Sequence, residues 1–148
     1  ILYPQILIDS VMSEENVLSG LKILLVDDDR FTLDFNTRVL SSLGCENIST
    51  ALNGKMALDE LAQSKEPFDI VICDLKMPDM DGFDFIAAVG KWENTGGLII
   101  LSGVGRRLIK EARKKAIKTR LHILGAIAKP LEKEALRTML LEYLQKYT

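Results

Sequence analysis

From residue 21 onward the chain alternates short, unbroken apolar runs with longer stretches in which apolar residues recur at helical spacing. The first run, Lys22–Val26 (KILLV), has no polar alternation and predicts a strand covered on both faces, as in a parallel sheet. Asp29 then stands where a helix N-cap is needed, because a short carboxylate can accept the free N–H groups of the first turn. Phe31, Phe35, Val39 and Leu43 follow at i, i+4, i+8 and i+12 and predict that helix's buried face, with Gly44 as its terminator. Residues 48–52 predict a second strand, Asn53-Gly54 a turn, and Met56, Leu58, Leu61 and Ala62 the apolar face of a second helix closed off by Pro67. The pattern continues with a strand over 69–73 (DIVIC), a helix over 83–92 and a strand over 98–101 (LIIL). A long helix over 104–120, a strand over 122–128 and a last helix over 131–147 complete it, the last with Leu131, Ala135, Leu136, Met139, Leu140 and Leu144 on one face.

Five strands in strict alternation with five helices predict a doubly wound α/β domain with a parallel sheet. There is no internal repeat and no low-complexity tract. Residues 1–20 show no sustained period and include a polar stretch at 13–16, so they read as a flexible leader ahead of a domain over 21–148, with Met12 a candidate natural start. In such sheets ligands gather beyond the carboxyl ends of the strands, where the first and third strands flank a crevice.

Composition narrows the function classes. The 148 residues carry 19 Lys+Arg against 21 Asp+Glu, a net charge of −2, which argues against a general nucleic-acid or anionic-membrane binder. A hydrophobic fraction of 47% is enough for a real core and excludes a disordered chain. No stretch approaches the roughly 20 apolar residues of a spanning helix, and no signal peptide is legible, so the expectation is a cytoplasmic protein. Cys45 and Cys73 are too few for a disulfide framework, and Cys73 in its apolar run reads as a buried, reduced thiol.

The chemistry sits at the predicted strand ends. Strand one ends in Asp27, Asp28 and Asp29, strand three in Asp74, strand four in Ser102, and strand five in Lys129-Pro130. Carboxylates gathered at one rim repel one another, and a hard divalent cation with oxygen ligands relieves that repulsion, which suits Mg²⁺. Asp27 or Asp28 alone would be an ordinary turn or cap residue; together with Asp74 they read as a site.

KILLVDDD, DIVICDLKMPDMDG, LIILSG and AIAKP, in that order, resemble the receiver domain of two-component response regulators over residues 21–147. The resemblance implies a flavodoxin-like five-stranded sheet of order 2-1-3-4-5 with five helices. It implies Asp74 as phospho-acceptor, Asp27 and Asp28 as the acidic pair, Ser102 as the hydroxyl position and Lys129 as the family's lysine. Mg²⁺, with Mn²⁺ as a substitute, would be held by Asp28, Asp74 and the backbone carbonyl of Lys76, with Asp27 acting through a water. The implied partners are a sensor histidine kinase or a histidine phosphotransfer protein, with an output domain in a longer protein; the domain itself would touch neither nucleic acid nor membrane and would catalyse only its own phosphorylation and dephosphorylation. Pro130 matches a position where the family has a cis peptide bond. Pro78 and Gly82 would shape the loop after Asp74, Gly82 through its backbone freedom.

Two features depart from that pattern. Three residues before Lys129, where the family usually carries an aromatic switch residue, stands Ala126, so the expectation is signalling through movement of residues 102–107 without a ring flip. The predicted fourth helix carries Arg106, Arg107, Lys110, Arg113, Lys114, Lys115, Lys118 and Arg120 against Glu111 alone, with Val104, Leu108, Ala112 and Ile117 as its apolar face. That charge reads as a solvated face or as an electrostatic docking surface for an acidic partner or output domain. The stretch from LSGVG to AIAKP also resembles receivers attached to cyclic-di-GMP phosphodiesterase domains. His122, the single histidine, reads as structural. The last two helices offer a face for a homodimer. The rival readings are an acid-cluster phosphatase on a related fold and a pseudo-receiver that binds without being phosphorylated.

Overall fold

The computed structural model describes residues 17–92, 95–102 and 106–147. Its strands are β1 (Lys22–Val26), β2 (Asn47–Ala51), β3 (Ile70–Asp74), β4 (Gly97–Leu101) and β5 (His122–Ile127), and they form one sheet in the order β2-β1-β3-β4-β5. All four pairings are parallel. The helices are α1 (Arg30–Ser42), α2 (Gly54–Gln63), α3 (Gly82–Gly90), α4 (Arg106–Ala116) and α5 (Lys133–Tyr147), and a small antiparallel ribbon joins Lys76–Met77 to Met80–Asp81 between β3 and α3. This is the flavodoxin-like doubly wound fold that the sequence predicts.

The continuous apolar strands split their side chains between two cores, as a sheet covered on both faces requires. Leu24, Val26, Val71, Cys73, Leu98 and Ile100 face α2, α3 and α4. Ile23, Leu25, Ile70, Ile72, Ile99 and Leu101 face α1 and α5. Residues 17–20, inside the stretch read as leader, make a turn in which Leu21 N–H donates to the Leu18 carbonyl, and Leu18 is fully buried in the second core. Residues 1–16 lie outside the described residues.

The predicted helix faces need correction. On α1 the buried residues are Leu33, Asn36 and Leu40, whereas Phe31 is 79% exposed and Phe35 42%. A strict i+4 repeat drifts around a 3.6-residue helix by about 40° per step, while the 3-4-3 spacing from Leu33 to Leu43 stays on one side. On α2 the buried residues are Gly54, Ala57 and Leu61, leaving Met56 and Ala62 outside. On α4 it receives Ala112 and Ala116, and Ile117 is 77% exposed. Val104 lies outside the described residues.

Gly44, with a φ of +95°, ends α1 as expected, and Gly125 and Gly82 are needed for two different reasons. Gly125 takes a φ of +154° at a register shift between β4 and β5, where Ile99 pairs with Gly125 after Leu98 pairs with Ile123. Gly82 is required by space: a Cβ there would lie 2.6 Å from the Leu75 carbonyl oxygen. Its φ is not positive, so the expectation that Gly82 serves through unusual backbone angles gives way to close approach.

Candidate functional site

The carboxyl ends of β1 and β3 are neighbours in the sheet, Val26 opposite Cys73, so the residues just beyond them meet across the rim. One oxygen each of Asp27, Asp28 and Asp74 lies within 4.8 Å of the others. Asp27 is 1% exposed and Asp74 is also buried, while Asp28 faces solvent. Each buried carboxylate has a backbone donor on one oxygen. Asp29 N–H donates to Asp27 Oδ1 at 2.9 Å, and Lys76 N–H donates to Asp74 Oδ1 at 2.9 Å.

The other oxygen of each is met by Lys129. Its Nζ donates to Asp27 Oδ2 at 2.8 Å and to Asp74 Oδ2 at 2.7 Å, bridging two strands from a third. Partial burial works against the lysine's charge, but hydrogen bonds to Asp27 and Asp74, with their charges, outweigh it and raise its pKa above the ordinary lysine value. The Lys129–Pro130 peptide bond is cis, as expected.

Ser102 directly follows Leu101, which pairs with Asp74, so the hydroxyl residue stands on the same rim. Its N–H donates to the Ile127 carbonyl at 3.0 Å, tying the ends of β4 and β5 together. Thus Asp27, Asp28, Asp74 and Lys129 are in one cluster and Ser102 is at its edge. Lys76 is held beside Asp74 through its backbone. Residues 103–105, within the segment expected to move on signalling, lie outside the described residues. Ala126 is half-buried and packs toward the α2–α4 core.

The loop after Asp74 is fixed at both ends. Asp81 caps α3 by accepting from Phe83 N–H at 2.8 Å. Asp79 reaches across to α2, where its two carboxylate oxygens accept from Gly54 N–H at 3.2 Å and Lys55 N–H at 3.0 Å. Asn53 supplies the third bond, to Met56 N–H at 2.8 Å, so the first turn of α2 is satisfied from two sources. No local signal in the sequence marks Asp79 as a cap, because the helix turn it caps lies 25 residues away.

The all-oxygen donor set, without histidine or thiolate, fits a hard divalent cation. Both cysteines are free and buried. Burial pushes the Cys45 thiol up to about 11, and burial together with the charge of Asp74 pushes Cys73 higher still. Neither is a thiolate at neutral pH, so the polar groups of this rim are carboxylates, one ammonium and the Ser102 hydroxyl. His122 is far from it, stacked on Tyr147 with ring centroids 4.0 Å apart.

Beside the cluster, Phe31, Phe35, Asn36, Lys129, Pro130 and Leu131 line an open cleft of about 400 Å³. Among the described residues no helix is long and apolar enough to cross a membrane.

A family model described as the response regulator receiver domain matches residues 23–141. The transcriptional regulatory protein YesN of Bacillus subtilis is 41% identical over 100 residues, which are 66% of this chain and 27% of that protein. The chemotaxis protein CheY of Treponema pallidum is 29% identical over 116 residues, covering 76% of this chain and 75% of that one. Among solved structures, the CheX–CheY complex with BeF3 and Mg²⁺ from Borrelia burgdorferi superposes with a TM-score of 0.72 at 26% identity, over 84% of this chain and 89% of that chain. This chain therefore spans about a quarter of the Bacillus relative and most of the chemotaxis protein.

Proposed function

The chain belongs to the response regulator receiver domain family of two-component signalling, and on that premise we propose that Asp74 is its phospho-acceptor, that Asp27 and Asp28 are its acidic pair, and that Lys129 and Ser102 bind the transferred phosphoryl group. The observation that carries this reading is the bridge from Lys129 Nζ to Asp27 and Asp74, which joins the ends of three strands at the C-terminal rim of the sheet.

Phosphoryl transfer would form a bond from an Asp74 carboxylate oxygen to phosphorus as the bond from phosphorus to the donor's imidazole nitrogen breaks. The products are an acyl phosphate on this chain and a free histidine on a sensor kinase or phosphotransfer protein. Both reactants are anionic, so charge must be neutralised as they approach. Asp27, Asp28, Asp74 and the backbone carbonyl of Lys76 would hold a Mg²⁺ ion, which supplies that neutralisation when bound. Lys129 is already at the rim and charged, and it would shift its donors from carboxylate oxygens to phosphoryl oxygens with little reorganisation. The Ser102 hydroxyl would donate to another phosphoryl oxygen. The Lys76 N–H bond to Asp74 Oδ1 holds the carboxylate's rotamer and leaves its reactive face set.

A protein donor has to reach Asp74 over the rim. The exposed rings of Phe31 and Phe35, with Pro130, supply an apolar surface there for its approach. The signal would then pass to an output domain or partner through the β4–α4 connection that begins at Ser102, because Ala126 has no ring to rotate.

The reading is tested by intact-protein mass after exposure to acetyl phosphate with and without Mg²⁺. A single Mg²⁺-dependent phosphoryl adduct that is missing in a folded Asp74→Asn variant is the expected result. An adduct that persists in the variant would move the acceptor elsewhere. No adduct from acetyl phosphate or from a phosphohistidine donor would overturn the reading in favour of a binding module.

A further inference from the structure

Asn36 is a polar residue where the core would ordinarily hold an apolar one. On α1 it shares the buried face with Leu33 and Leu40 and is 2% exposed. Its side chain has no hydrogen-bond partner among the described residues, and it does not bond back to its own helix as Thr37 does to the Leu33 carbonyl at 2.7 Å. A buried amide left in this way costs free energy that a leucine would not. The amide is nevertheless not sealed off: Asn36 forms part of the cleft that opens beside the acidic cluster, together with Phe31, Phe35, Lys129, Pro130 and Leu131.

The other polar side chains of that cleft are already engaged. Thr32 donates its hydroxyl to Asp29 Oδ2 at 2.9 Å, and the Lys129 ammonium lies between Asp27 and Asp74. The Asn36 amide is therefore the group left to read an occupant, and it offers a donor and an acceptor side by side. The walls around it are apolar, with the rings of Phe31 and Phe35, 79% and 42% exposed, and that of Pro130. Aromatic rings pack on such walls by offset or edge contacts. Charge is disfavoured in either sign, since Asp28 and Asp29 stand exposed at the same rim and repel an anion, while Lys129 in the wall repels a cation. The volume of about 400 Å³ is that of a small-molecule site.

We propose that this cleft binds a small neutral molecule made of a planar ring and a carboxamide or lactam edge, the ring lying against Phe31, Phe35 and Pro130 and the edge exchanging a donor and an acceptor with the Asn36 amide. A carboxamide or lactam matches both halves of that amide, whereas a carboxylate lacks the donor and an alkyl group lacks donor and acceptor alike. On the reading of Asp74 given above, an occupant covers the surface over which a protein donor approaches, so it slows transfer from a phosphorylated histidine protein and leaves acetyl phosphate labelling unchanged. Binding itself needs neither metal nor phosphoryl group, so the two assignments fail separately.

The test titrates indole-3-carboxamide into the full chain without metal, read by ligand-observed NMR, with 3-methylindole and indole-3-carboxylate as controls. The expected dissociation constant is about 0.1–1 mM, the range for a ligand of this size, and either control binds several-fold more weakly. Asn36→Leu is expected to weaken the carboxamide about tenfold or more, to the level of 3-methylindole, and Phe35→Ser to weaken all three ligands. The denaturant midpoint of Asn36→Leu should equal or exceed that of the wild type, because the open cleft gives the larger side chain room. A clearly lower midpoint would make the asparagine structural and overturn the assignment. Equal carboxamide binding by wild type and Asn36→Leu would remove Asn36 as the reader, and tighter binding of the carboxylate would give the cleft to anions held by Lys129. Slower acetyl phosphate labelling in the presence of the carboxamide would place the ligand on the acidic rim instead, and no binding at millimolar concentration would overturn the site.

Discussion

Lys129 Nζ donates to Asp74 Oδ2 at 2.7 Å across 55 residues of sequence, and the same ammonium reaches Asp27 Oδ2 at 2.8 Å. The lysine thus occupies the space between the two carboxylates that a divalent cation would also seek. Its positive charge holds them together and competes for them.

Removing that competitor should strengthen metal binding. Lys129→Met is expected to bind Mg²⁺ several-fold more tightly than the wild type by isothermal titration, while responding weakly to phosphorylation. A variant that no longer binds Mg²⁺ would show instead that the lysine is needed to position the carboxylates.

The same ion pairs make stability depend on alkaline pH. The pKa of Lys129 is raised in the folded state, so its contribution is fully present below the unfolded-state value of about 10.4 and is lost as pH rises through the higher folded value. Without metal, the urea midpoint of the wild type is expected to exceed that of Lys129→Met by a constant margin from about pH 6 to about pH 10 and by less above it. A margin that shrinks between pH 6 and 8 would contradict this. The side chain is 37% exposed, so solvent screening keeps the margin modest.

Asp79 joins the loop after Asp74 to the first turn of α2. Asp79→Ala should cost about 1 kcal/mol in chemical denaturation, the usual range for a lost cap. It should also weaken Mg²⁺ binding, because the loop that carries the Lys76 carbonyl then loses its tie to α2. Unchanged Mg²⁺ affinity with lowered stability would limit Asp79 to a structural role.

Gly82→Ala would place a methyl group 2.6 Å from the Leu75 carbonyl oxygen, against backbone that has little room to give. The expected cost is about 1–3 kcal/mol, the range for overpacking, read as a lower denaturant midpoint. A neutral effect would mean that the loop shifts freely.

Phe31 is 79% exposed at the rim and contributes little to the core. Phe31→Ser is expected to leave the denaturant midpoint nearly unchanged and acetyl phosphate labelling intact, while slowing transfer from a phosphorylated histidine protein. Equal transfer rates would remove this ring from the donor's path.

Much of this was legible in the chain because the local signals agree with the tertiary ones. KILLV is a strand in sequence and in structure, since an unbroken apolar run of this length, stopped by aspartates, suits a strand buried on both faces. The order of the motifs places Asp27, Asp28, Asp74, Ser102 and Lys129 at strand ends, and parallel strands bring those ends to one rim. What failed was the choice of helix faces. Phe31, Phe35 and Ile117 looked like core residues because hydrophobicity records what can be buried, and it does not record which side of a helix meets the sheet. That side is set by where the strand before the helix ends and how the chain crosses back.

The sequence by itself determined the element order and the parallel sheet, and it placed carboxylates, a hydroxyl and a lysine at the strand ends, because periodicity and strand-end composition are local properties. Only the tertiary structure decided that Lys129 spans both carboxylates, that Asp79 caps a helix 25 residues upstream, and that Ile117 stands outside among cations beside a stacked His122 and Tyr147. Each is a contact between groups distant in sequence, fixed by strand order and helix rotation together, and no window of neighbouring residues contains it.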